Sequence, residues 1–157
     1  MKNLLFLTTA MVCLFVATAC KTSQKSISVT AISATESGDN ALLEKYWKLD
    51  QIMGKDVATL TPRPPKDAFL TFKAEEKRLV GNLGCNTFSA EYELMPGNRI
   101  RISNAINTEM MCMTMTVEDE MKQVLATADS YSVHNDTLVL NRARMAPLAR
   151  FVVVYME

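Results

Sequence analysis

Gly81-Asn82-Leu83-Gly84-Cys85-Asn86-Thr87-Phe88-Ser89-Ala90-Glu91-Tyr92-Glu93-Leu94 falls into two parts of different character. In the second, Phe88, Ala90, Tyr92 and Leu94 lie on one side and Ser89, Glu91 and Glu93 on the other. That period of two is the mark of a half-buried antiparallel strand. The first part is a glycine-punctuated turn, where Gly81 and Gly84 predict positive backbone torsions or the close approach of another segment to the main chain. Two glycines three apart, with no lysine and no helical pattern behind them, do not make a phosphate cradle.

Working outward, Pro96-Gly97 is a turn dipeptide that folds Arg99-Ile100-Arg101-Ile102 back onto the first strand. Its arginines then stand opposite Glu91 and Glu93, so cross-strand charge pairing accounts for both clusters without a catalytic carboxylate pair. Upstream, Tyr46 to Ile52 reads as a strand with Trp47 and Leu49 inward, ended near Gly54. Thr59 to Asp67 carries Pro62, Pro64 and Pro65 and is a rigid loop. Ala68 to Phe72 and Arg78 to Gly81 are two further strands joined by a charged turn. Downstream, Asn104 to Thr108 leads into the methionine run Met110-Met111-Cys112-Met113-Thr114-Met115. Thr116 is expected to cap a helix running to about Ala128, with Glu118, Asp119 and Glu120 in its first turn and Val117, Met121, Val124, Leu125 and Ala128 on one face. Ser130 to Val133 and Thr137 to Leu140 form a hairpin about Asn135-Asp136, and Leu148 to Met156 closes the chain. The fold class is mainly β (α+β), about eight short strands with one helix inserted before the last three.

The N-terminal third has a different composition. Lys2, the apolar run Leu4 to Ala17 and the small residues before Cys20 mark residues 1–19 as an export signal. The order Val16-Ala17-Thr18-Ala19-Cys20 is similar to a bacterial lipoprotein signal, which implies that Cys20 is lipidated and anchors the chain to a membrane. Residues 20–42 are a Ser/Thr-rich flexible tether, reaching on the order of 25 Å, and residues 43–157 form the folded domain. With Cys13 in the leader and Cys20 lipidated, Cys85 and Cys112 remain as an even pair in a disulfide-permissive compartment. Three readings stay open for them: a structural bridge, a reactive thiol, or part of a soft-metal site in which Met111, Met113 and Met115 offer thioethers beside Cys112.

Lys plus Arg and Asp plus Glu number 17 each, so bulk charge selects neither nucleic acid nor an acidic partner. His134, the only histidine, sits at a turn and supports neither a triad nor a multi-histidine metal site. No cofactor motif and no nucleophile motif occurs, and no catalytic residue is assigned.

The order Trp47-Lys48-Leu49, then Gly84-Cys85-Asn86-Thr87-Phe88-Ser89 with Tyr92-Glu93-Leu94, then Thr108-Glu109-Met110-Met111-Cys112, an acidic-capped helix and Asp136-Thr137-Leu138-Val139-Leu140 resembles the META domain, also called the HslJ-type domain. Many members carry proline after the second cysteine, where this chain has Met113. The resemblance implies a small curved antiparallel sheet or incompletely closed barrel with one packed helix. It also implies an exported envelope protein, often a lipoprotein, tied to stress or drug tolerance and bringing no catalytic mechanism. The expectation is therefore a non-catalytic, monomeric lipoprotein, held by Cys20 in the outer membrane and facing the periplasm. It would have no nucleic-acid partner and no cofactor, and its partner would be an unidentified envelope protein. Alternatives are an inhibitor of an envelope-directed hydrolase, contacting it through Thr61–Lys66 and Arg142–Arg150, and a Cu(I)-binding protein.

Overall fold

The structure, a computed structural model, describes residues 41–143 and 145–155. The expected signal peptide, Cys20 and the tether up to Asn40 lie outside the described residues. Among the described residues nine strands and one long helix follow in order: β1 (Trp47–Ile52), β2 (Lys55–Asp56), β3 (Phe69–Lys73), β4 (Arg78–Asn82), β5 (Thr87–Met95), β6 (Arg99–Asn107), α1 (Thr116–Thr127), β7 (Ser130–His134), β8 (Thr137–Asn141) and β9 (Ala149–Val153). All neighbours pair antiparallel, as short alternating strands joined by turns should.

The sheet is a closed barrel, which corrects the incompletely closed form expected from the resemblance. Trp47 on β1 stands opposite Leu70 of β3 on one side and Val153 of β9 on the other, so eight strands run round to meet and β2 is a small extension on β1. Closure satisfies strand edges that would otherwise expose unpaired N–H and C=O groups. The seam is thinnest between β6 and β7, which share only the pair Arg99 and Ser130. There α1 contributes instead, placing Val117, Met121, Val124 and Leu125 in the same core as Trp47, Phe72 and Phe151. Burial of these side chains, at roughly 1.5–3 kcal/mol each, supplies the main driving force for folding.

Several local expectations hold and several shift. Trp47 and Leu49 point inward, and the Trp47 indole Nε1–H donates to the Leu42 carbonyl at 2.8 Å. Leu42, placed at the end of the tether from sequence, is itself fully buried. Strand β6 runs to Asn107, well past the Arg99 to Ile102 that alternation marks as strand. Pairing with β5 resumes past a bulge opposite Ala90, and Asn104 at the bulge takes a φ of 51°. The cap of α1 is Met115 and gives no side-chain bond, so Thr116 is the first helical residue and not the cap. Of the two arginines, Arg101 does meet Glu93, at 3.2 Å, but Arg99 turns to Asp129 at 3.6 Å, and Glu91 accepts from the Asn104 amide at 2.7 Å.

Gly81 explains itself by contact. It lies between Leu70 and Phe88 in the ladder, and a Cβ there would sit 1.9 Å from the Phe69 carbonyl oxygen. The obstacle is backbone, so no rotamer change can relieve it. Gly81→Ala is therefore expected to lower unfolding free energy by about 3 kcal/mol or more, beyond the usual overpacking penalty. Urea denaturation followed by tryptophan fluorescence of Trp47 would measure it, and a variant as stable as the parent would refute the contact.

Candidate functional site

Strand β4 delivers its C-terminal end, and β5 its start, to one rim of the barrel, where residues 81–86 are all buried. Turns this deep must satisfy their polar groups internally. Asn82 Oδ1 accepts the Gly84 N–H at 2.8 Å and the Leu83 N–H donates to the Asn86 carbonyl at 2.8 Å, which closes the turn on itself. Gly84 takes a φ of 108°, and a Cβ there would meet Val117 at 3.2 Å and Pro64 at 3.3 Å. Both sequence-level reasons for glycine thus occur, close approach at Gly81 and a positive torsion at Gly84. The Gly84 carbonyl accepts the Lys66 N–H at 3.1 Å, so the proline loop is fastened to the same turn.

Asn86 is the centre of this rim. Its Oδ1 accepts from the Thr108 hydroxyl at 2.7 Å and from the Met110 N–H at 2.8 Å, and its Nδ2 donates to the Met110 carbonyl at 2.9 Å. The side chain therefore pairs with the strap after β6 as an added strand would. On its other side the Asn86 N–H donates to Glu118 Oε2 at 2.9 Å and Nδ2 reaches both carboxylate oxygens, at 3.0 and 3.1 Å. Glu118 is 1 % exposed, and its remaining partner is the Lys122 ammonium one turn along α1, at 2.7 Å. Burial pushes this carboxyl upward, but the Lys122 ammonium and the Asn86 donors outweigh it and hold it below the ordinary value.

A covalent bond runs beside this polar set. Cys85 and Cys112 form a disulfide with Cα atoms 6.2 Å apart, within the usual range for a bridge. The reactive-thiol reading therefore has no thiol, and Cys112 has no thiolate to offer a soft metal. Met111 and Met113 project into solvent at 96 % and 104 % exposure while Met115 is half-buried at the start of α1, so the alternation of the three does not converge on a centre. His134 is exposed at the end of β7. What the rim does is hold four segments together: the turn, the proline loop, the strap and the start of α1. Sequence reading found the bridge partners but missed the buried pair Asn86 and Glu118. The available signal was spacing, since Glu118, Met121 and Leu125 fall on one helical face and all are buried.

The sequence profile of the META domain matches residues 40–154. Among curated proteins none matches the chain. Of solved structures, a protein from Burkholderia xenovorans determined by NMR is 20 % identical with a TM-score of 0.59, the match covering 74 % of this chain and 86 % of that one. A second NMR structure is 21 % identical with a TM-score of 0.54, over 72 % of this chain and 92 % of the other. The crystal structure of a DUF4847 family protein from Bacteroides vulgatus is 14 % identical with a TM-score of 0.53, over 73 % and 95 %. At such identities these likenesses concern the fold.

Two outcomes follow from the rim. Because the folded pKa of Glu118 lies below its ordinary value of 4.5, its stabilising contribution is complete above that pH and is lost as pH falls through the folded value. Glu118→Gln should lower stability at pH 7 by about 2 kcal/mol or more, because Asn86 and Lys122 lose a charged acceptor. It should also flatten the fall in stability below pH 4.5 in acid titrations of the urea midpoint. An unchanged acid limb would exclude the buried ionised carboxylate. Separately, the bridge closes an interval of 27 residues, worth about 3.5 kcal/mol in the chain-entropy account. Denaturation of the Cys85→Ala/Cys112→Ala double variant should show a loss of that order.

Proposed function

The chain belongs to the META domain family, and from that premise we propose that it is a lipid-anchored, non-catalytic module of the bacterial cell envelope that works by binding. The observation that carries this reading is the Cys85–Cys112 bridge. Bridges persist in oxidising compartments, and the pairing leaves Cys20, behind an export signal, as the remaining cysteine of the processed chain. Lipidation of that thiol would hold the domain at the outer membrane on the periplasmic side, with residues 20–42 as the tether. A stress- or tolerance-related role accords with the family resemblance.

The chemistry of the rim favours a structural part over a catalytic one. Its carboxylate, amide and cysteine groups are committed to one another, and no nucleophile is paired with a base there. Binding is then assigned to the loops. The exposed proline loop borders a concavity that includes Arg63 and Pro64, and the segment Met145 to Arg150 borders another. Those two surfaces support the narrower reading of a protein-binding inhibitor of an envelope-directed hydrolase, which would contact its target through Thr61–Lys66 and Arg142–Arg150.

Metabolic labelling with a radioactive fatty acid, followed by fractionation, tests the anchor. The parent chain should carry label and sediment with membranes, and Cys20→Ala should be unlabelled and released to the soluble fraction. Label retained in Cys20→Ala would overturn the assignment.

A further inference from the structure

Between Asp136 and Glu157 the chain carries Arg142, Arg144 and Arg150 and no Asp or Glu at all. Uncompensated charge of this kind is informative only if nothing else in the fold neutralises it. Arg101 meets Glu93, Arg99 meets Asp129, Arg78 donates to Ser89 and Arg63 to the Ala58 carbonyl. Arg142 has Asp129 as its electrostatic neighbour, a carboxylate already bridged to Arg99. Among the described residues, no carboxylate lies within ion-pair distance of Arg150.

Arg150 also lies on a concave surface. It stands directly opposite Gln51 in the β1–β9 ladder, and its neighbours Ala149 and Phe151 are buried, so its side chain is on the outer face. Both border a groove of about 470 Å³, whose apolar wall comes from Met53, Met145, Pro147 and Leu148. A guanidinium fork beside a carboxamide is a donor set matched to a carboxylate, and the wall beside it is matched to an aliphatic side chain.

We propose that this groove is a docking site for an acidic peptide segment of a partner protein, with a carboxylate held by Arg150 and Gln51 and an adjoining apolar side chain laid against Met53 and Leu148. The inference rests on the binding role above and adds the ligand's chemistry. A peptide fits better than a simple anion because the wall is apolar, and better than a purely apolar strand because the cation meets no carboxylate among the described residues.

The test is an NMR titration of the isotope-labelled full chain in detergent micelles with a hexapeptide of alternating aspartate and leucine. Amide shifts should concentrate at Gln51, Gly54, Ala146 and Arg150. Arg150→Glu should weaken binding by about a hundredfold and Arg150→Gln by about tenfold. The core amides of β3 and β4 should stay in place, which reports that the variants fold. Raising ionic strength should weaken the parent complex. Replacing aspartate by asparagine, or leucine by glycine, should each reduce affinity. Shifts elsewhere on the barrel, unchanged affinity in Arg150→Glu, equal binding of the glycine peptide, or saturation of the same amides by inorganic phosphate would each overturn the proposal. None of these results bears on fatty-acid labelling at Cys20, so the groove can fail while the anchored-module reading stands.

Discussion

The contact between the Asn86 amide and the Glu118 carboxylate is the constraint on which the arrangement of this barrel depends. An ionised carboxylate at 1 % exposure is costly unless every lone pair is used, and here the Asn86 main chain, the Asn86 side chain and Lys122 use them. The demand runs in both directions. Asn86 needs acceptors for its amide hydrogens, and the strap at Met110 and the helix at Glu118 must both be in register to supply them. An apolar residue at either position could pack against the rim at many angles. A carboxylate and an amide are satisfied at few, so the pair selects the position of α1 relative to β5.

The disulfide serves the same junction by different physics. It constrains the unfolded chain by closing the interval between the turn and the strap. The polar set specifies the folded geometry within that closed loop. Neither substitutes for the other: a bridge alone leaves the start of α1 free to rotate, and a buried carboxylate alone leaves the strap free to leave with its partners. The thin seam between β6 and β7 shows why this matters, since one residue pair joins those strands and α1 completes the core beside them. Whatever fixes α1 therefore also completes the core at the seam.

Legibility from sequence followed the range of the interaction. The hairpins were readable because their signals are local: alternation in Phe88 to Leu94, the turn at Pro96-Gly97 and the turn at Asn135-Asp136. Closure was not readable, because the pairing of Trp47 with Val153 joins opposite ends of the domain and leaves no trace in local periodicity. The second half of β6 was missed because its residues are exposed and carry no inward face, so alternation is absent although pairing continues beyond the bulge. Glu118 shows a different failure. An acid in a first helical turn has a sufficient local explanation in the helix dipole, and that explanation hid its place on the buried face. Arg99 is similar, since alternation put it on the face opposite the glutamates, whereas the register sets it across from Met95, and Asp129, just past α1, becomes its partner.

The same accounting of partners separates structure from function in this molecule. Groups that already exchange hydrogen bonds with one another have nothing left to give a ligand without breaking the fold, and that describes Asn82, Asn86 and Glu118. Groups that folding leaves unpaired on the outer face can meet a ligand without that cost. By that criterion the rim, although it holds the segments that most distinguish the sequence, is structural and positions the proline loop and the helix. Arg150 meets the criterion, because its strand neighbours are buried to complete the core while its own charge is left facing solvent. The residues that identify the chain hold its fold together, and the residues proposed to meet a partner are different ones, carried on the outer face of the same barrel.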